Sequence, residues 1–297
     1  MHKGDINMKK LYVFLLVSAL LLVGCASDED ANGNEPEKNN PEETNETDDN
    51  NSNVEEEEED FDPYNGFVPR DEMEKKYFDT ISDLWNWNSF VIQYSYNTYL
   101  SDPDDTPQEI NELSRYVLEP FQLHSEYQSI FMKNDHIERY VTENEGFINQ
   151  QMEDWEEDPY FQSHIKNPLL SRLDLFYNMI VNSWGIAEFD DGTVAIDIMP
   201  ESFESIYEQI YLAYHHDIRL NSEEYQTEFE SLYVPLEGLE GISVEFNFDN
   251  NMLSKVTIYI SYNRTDEITV DQIHIIEEYS EVNEFNSIDI PAEVRGS

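Results

Sequence analysis

The chain has 297 residues, with 65 Asp and Glu against 16 Lys and Arg, a formal charge of −49 at pH 7. A surface of that sign repels phosphate backbones and anionic headgroups, which excludes nucleic-acid binding and electrostatic attachment to a membrane. One Cys in the whole chain excludes a disulfide framework, so a hydrophobic core must hold the fold, and a 13% aromatic content can supply one.

The first element is a leader. Met8-Lys9-Lys10 gives a short positive start, and residues 11–24 form an uncharged apolar run ending Leu22-Val23-Gly24-Cys25. The run is signal-peptide length and too short for a permanent span, which needs roughly 20 apolar residues. Its end resembles the bacterial lipobox, in which the Cys thiol receives a diacylglycerol and the peptide is cut just before it. Residues 1–24 are therefore expected to be a lipoprotein signal peptide and Cys25 the lipidated residue. That makes the membrane a partner through a lipid anchor and the localisation extracytoplasmic.

Residues 25–62 are expected to be the anchor and an acidic stalk. Between Cys25 and Phe61, Val54 is the only aliphatic residue larger than Ala, and acid runs occur at Asp28-Glu29-Asp30 and Glu55 to Asp60. Such a segment buries too little apolar surface to offset its ordering entropy and reads as disordered. From Pro63 to Ser297 the composition is globular and fits one domain.

Within that domain the spacing predicts helices over 71–85, 168–184 and 201–216, each with apolar residues stepping by three and four, and a weaker helix over 221–232. Pro168 sits where a first-turn proline belongs, and Gly185 where a C-terminal cap belongs. Period-two alternation predicts strands through Phe90, Ile92, Tyr94 and Tyr96, through Ile242 to Phe248, and through Val256 to Tyr262. Turns are expected at Asn134-Asp135, Asn144-Glu145-Gly146, Asp190-Asp191-Gly192, Asn250-Asn251 and Asn263 to Asp266. A phase switch between Val270 and Ile273 predicts a bulge near Asp271. The order is helix, about five strands, helix, hairpin, helix, three strands. It predicts an α+β domain: a strongly curved antiparallel sheet, a half-barrel of about ten strands, with helices covering its concave face.

This order resembles the LolA-like lipoprotein-carrier fold, and more closely the LolA-like surface lipoproteins of Gram-positive bacteria. The matching features are the opening helix with Ser89-Phe90, the strand with Gln122-Leu123-His124, and Arg139-Tyr140 leading through Gly146-Phe147 to Trp155. A closing strand ends Val282-Asn283-Glu284-Phe285-Asn286, then Ile288-Asp289-Ile290-Pro291. The resemblance implies an apolar cavity able to hold acyl chains. Phe90, Ile92, Tyr94, Tyr177, Trp184, Tyr207 and Tyr211 are the candidate ligand-binding residues of such a cavity. The alternative is a surface interaction protein with a closed core, its helices filling the barrel and an apolar patch exposed elsewhere.

Catalytic signatures are lacking. There is no His-Glu-x-x-His, no phosphate loop and no Gly-x-Ser-x-Gly elbow, and the histidines are scattered. No enzyme activity, cofactor or metal site is expected. Trp155, among the acids of residues 153–158, is read as a single inward Trp at a strand end.

Overall fold

In a computed structural model, the described residues are 62–100, 108–129, 135–215, 236, 238–263 and 270–296. The leader, Cys25, the stalk, the 221–232 helix and most of the turns expected at 134–135 and 263–266 lie outside them. Among the described residues, no helix is long and apolar enough to cross a membrane.

The first helix, α1 (Glu72–Ser82), starts where Asp71 accepts the backbone N–H groups of Met73 and Glu74, both at 2.9 Å. A 3-10 turn, Asp83–Asn86, extends it. Tyr77, Phe78, Ile81 and Leu84 form its buried stripe. Six strands follow: β1 (Ser89–Leu100), β2 (Glu109–Leu118), β3 (Phe121–Ser129), β4 (Asp135–Thr142), β5 (Gly146–Gln150) and the two-residue β6 (Glu156–Glu157). The second helix, α2 (Pro168–Val181), is capped by Asn167, whose side chain accepts from Leu169 N. The hairpin β7 (Ser183–Glu188) and β8 (Thr193–Ile198) leads to α3 (Phe203–His215). Strands β9 (Leu239–Asp249), β10 (Met252–Tyr262) and β11 (Val270–Ser280) and a short α4 (Ala292–Arg295) close the chain.

All strand pairs are antiparallel in one open sheet, ordered β6-β5-β4-β3-β2-β1-β11-β10-β9-β8-β7. The first and last long strands thus meet at its centre. One face carries Phe90, Ile92, Tyr94 and Tyr96 of β1, then Ile273 and Ile275 of β11, Val256, Ile258 and Ile260 of β10, and Val244 and Phe246 of β9, all buried. The helices cover this face, so the half-barrel is as expected, with eleven strands. The bulge also stands where the phase switch put it: Tyr99 pairs with Gln272 but Leu100 with Val270, leaving Asp271 over. Asn250 and Asn251 both have positive φ, 52° and 65°, as a two-residue hairpin turn requires.

Three local expectations are corrected. The second helix ends at Val181, not at 184. The Asn182 side chain turns back onto the Asn178 carbonyl at 2.9 Å, and the Arg70 guanidinium donates to the Ile180 and Ser183 carbonyls, so the end is closed without a glycine cap. Gly185 instead lies within β7 with φ at 155°. The residues after Ser280 are not strand. Asn283 there accepts from Asn88 N through its side chain at 2.7 Å and donates its own N–H to the Ser89 carbonyl at 2.7 Å, holding the start of β1. Trp155 does not point into the concave side; it packs on Tyr140 of β4, ring centres 5.4 Å apart, on the outer face.

Two polar groups cross the core. Arg172 of α2 pairs with Glu277 of β11 at 3.1 Å, with side-chain exposures of 8% and 0%. It also donates to the Ala213 carbonyl of α3 and lies 4.3 Å from the Tyr214 ring centre. Tyr279 donates to the other oxygen of Glu277 at 2.7 Å. Replacing Arg172 by Met should therefore strand a buried carboxylate and cost about 3–5 kcal/mol, and adding Glu277→Leu should recover most of that loss. Chemical denaturation of the two variants measures both. A Cβ on Gly146 would lie 2.1 Å from the Phe161 Cβ, so Gly146→Ala should destabilise by about 1–3 kcal/mol, read as a lowered melting temperature.

Candidate binding site

Alternation along β1 places Phe90, Ile92 and Tyr94 on the concave face, where they are 0–5% exposed. Tyr177 of α2 and Tyr207 of α3 face them from the helical layer, at 0% and 5%. Five of the seven candidate residues therefore share one interior. Three of them pack on rings of other residues: Phe90 stacks on Tyr116 at 5.1 Å, Tyr94 on Tyr214 at 5.8 Å, and Tyr177 packs on Phe78 at 4.5 Å. The Tyr177 hydroxyl donates to the Pro63 carbonyl at 3.0 Å, which fixes the entry of the domain. Tyr211 is half-buried at the edge of this core. Trp184 is not part of it. Because α2 stops at Val181, Trp184 falls on β7 and is 71% exposed.

Among the described residues, two voids between sheet and helices are small. One of about 30 Å³ is lined by Glu112, Tyr116, Ser125, Arg139 and His164 among others. Another of about 20 Å³ lies among Ile92, Tyr94, Glu112, Arg172 and Glu277. Each has room for a water or two and none for a chain of methylenes. The lining is polar as well: Arg139 pairs with Asp158 at 3.2 Å, and His164 lies 3.6 Å from the same carboxylate.

The larger concavity is on the solvent side of the helical layer. A groove of about 680 Å³ runs over α2 and α3, lined by Phe67, Leu170, Leu175, Leu212 and Ala213, with Lys166, Asp174 and Gln209 among the polar residues of its walls. Leu170 and Leu212 are 41% and 52% exposed. The helical spacing gave no sign that Leu170 is exposed. Leu212 falls outside the apolar stripe of its helix.

Burial holds the Tyr94 hydroxyl well above the ordinary phenol range, and it has no hydrogen-bond partner among the described residues. Tyr94→Phe should thus leave stability unchanged or raise it by up to about 1 kcal/mol, measured by urea denaturation.

No family model matches the chain, and no curated protein matches it. Among solved structures it is similar to a crystal structure of the Mycobacterium tuberculosis lipoprotein LppX, with a TM-score of 0.36 and 9% sequence identity, over 73% of this chain and 98% of that one.

Proposed function

We propose that the chain is a lipid-anchored protein of the cell envelope, facing outside the cytoplasm, whose half-barrel domain binds an apolar ligand: an acyl chain, free in a lipid or carried by a lipidated partner. The apolar run ending at Cys25 supports the anchor, since two acyl chains, each contributing about 0.8 kcal/mol per buried CH₂, hold a protein stably.

The observation that carries the binding is the groove over α2 and α3. At about 680 Å³ it has the volume of small-molecule sites, roughly 300–1,000 Å³, and its apolar walls include two leucines that leave helical stripes otherwise turned inward. The concave interior, packed with rings and ion pairs, supports a second reading. In it the core is closed and the same groove takes the apolar surface of a protein that carries no lipid.

Native mass spectrometry of the mature chain, with solvent extraction, tests the first reading. A co-purifying mass that extracts into organic solvent, and displacement of a fluorescent fatty acid by it, are the expected results. The double substitution Leu170→Glu, Leu212→Glu should weaken probe binding at least about tenfold, because each buried Leu contributes roughly 1.5–3 kcal/mol. It should leave the melting temperature nearly unchanged, because both side chains are substantially exposed. An apo mass with no probe binding would move the assignment to the surface-interaction reading.

A further inference from the structure

The outer face of the sheet carries a group of side chains that the groove does not use. Strands β3 and β4 pair with Glu126 opposite Glu138 and His124 opposite Tyr140. Alternation puts His124 and Glu126, two residues apart, on the same side of β3. His124 Nε2 lies 2.9 Å from Glu138 Oε1 and 3.8 Å from Glu126 Oε1, and one ligand atom from each residue falls within 4.8 Å of the others.

We propose that His124, Glu126 and Glu138 form a binding site for a divalent transition-metal ion of the zinc type. Bonds of about 2.0–2.1 Å set tetrahedral ligand atoms roughly 3.3 Å apart, and the two separations from His124 Nε2 bracket that value. One imidazole with two carboxylates is a borderline-soft donor set. It suits Zn²⁺ better than Ca²⁺ or Mg²⁺, which prefer oxygen ligands alone. Two carboxylates also match the ion's charge. Arg115 stands opposite His124 on β2 and offsets part of the negative charge of this face. Three protein ligands leave a fourth position to water.

The surroundings hold the ligands in place. The His124 ring stacks on Tyr140 with centroids 4.2 Å apart and planes 7° from parallel, and Trp155 packs on Tyr140 in turn. The Tyr140 hydroxyl hydrogen-bonds the Glu138 carboxylate. An imidazole clamped by a ring stack and a carboxylate oriented by a phenol are the outer contacts by which proteins orient metal ligands. Coordination through Nε2 places the remaining ring proton on Nδ1.

Isothermal titration of the mature chain with Zn²⁺, at physiological salt and with excess Mg²⁺ to occupy the acidic surface, tests the site. One ion per chain is expected above that background, with a Co²⁺ absorption band of tetrahedral character. His124→Ala and Glu126→Gln should each weaken binding at least about tenfold, while Glu278→Gln, on another part of the sheet, should not. Glu126 is 43% exposed, so its variant keeps the fold even if His124→Ala does not, and circular dichroism without metal checks both. Absence of a one-to-one ion, or a one-to-one ion that Glu126→Gln in its folded state retains, overturns the proposal. In the second case the metal belongs to the acid-rich surface at large.

Discussion

An open sheet of eleven strands has one face too apolar to leave in water, and the structure depends on how that face is covered. α2 does most of the covering. It is buried around most of its circumference, from Leu169 and Leu173 against the sheet to Met179 and Ile180, which marks a central helix and not a surface one. Its ends are closed by Asn167 and Asn182, so it can sit deep without stranded backbone groups. Apolar contacts alone would let such a helix slide by a turn at little cost. Arg172 fixes the register, because its guanidinium reaches Glu277 on β11 and the Ala213 carbonyl of α3 from one position only. A buried pair of this kind contributes little to net stability compared with apolar residues of the same volume. What it contributes here is a single arrangement of sheet and both large helices.

That arrangement decides where function can lie. With aromatic rings and two buried ion pairs packed into the concave face, the larger of the described concavities lies outside it. One surface is the groove on the solvent side of α2 and α3. The other is the convex side of the sheet, where His124 and its carboxylates stand behind the very strands whose inner residues build the core. The two lie on opposite sides of the half-barrel.

Much of this architecture was legible in the sequence. Period-two runs gave the strands, and the break in that period at Asp271 marked the bulge, because a one-residue insertion must flip the face of every later side chain in the strand. Helix length was harder. Ser183 and Trp184 continue the helical spacing of α2, and only the return of Asn182 and the reach of Arg70 across the chain end it early. Trp184 was misplaced for that reason. Whether a half-barrel is hollow cannot be read from residue types, since the same aromatic side chains line a cavity or fill it. The metal-type cluster was hidden more deeply. His124-Ser125-Glu126 is an ordinary strand triplet until the register of β4 brings Glu138 beside it.

The central pairing of β1 with β11 joins residues 89–100 to 270–280. Contacts between such distant parts of a chain form late, because the long loop between them must close first. The two halves of the sheet, β6 to β1 and β11 to β7, can each form hairpins as they are made, yet neither owns the middle. Asn283, beyond the last strand, then locks the start of the first. A chain emerging from one end therefore has no complete native sheet to fall into until β11 is free. For a protein proposed to act outside the cytoplasm, the topology itself delays closure of the sheet until β11 has crossed the membrane.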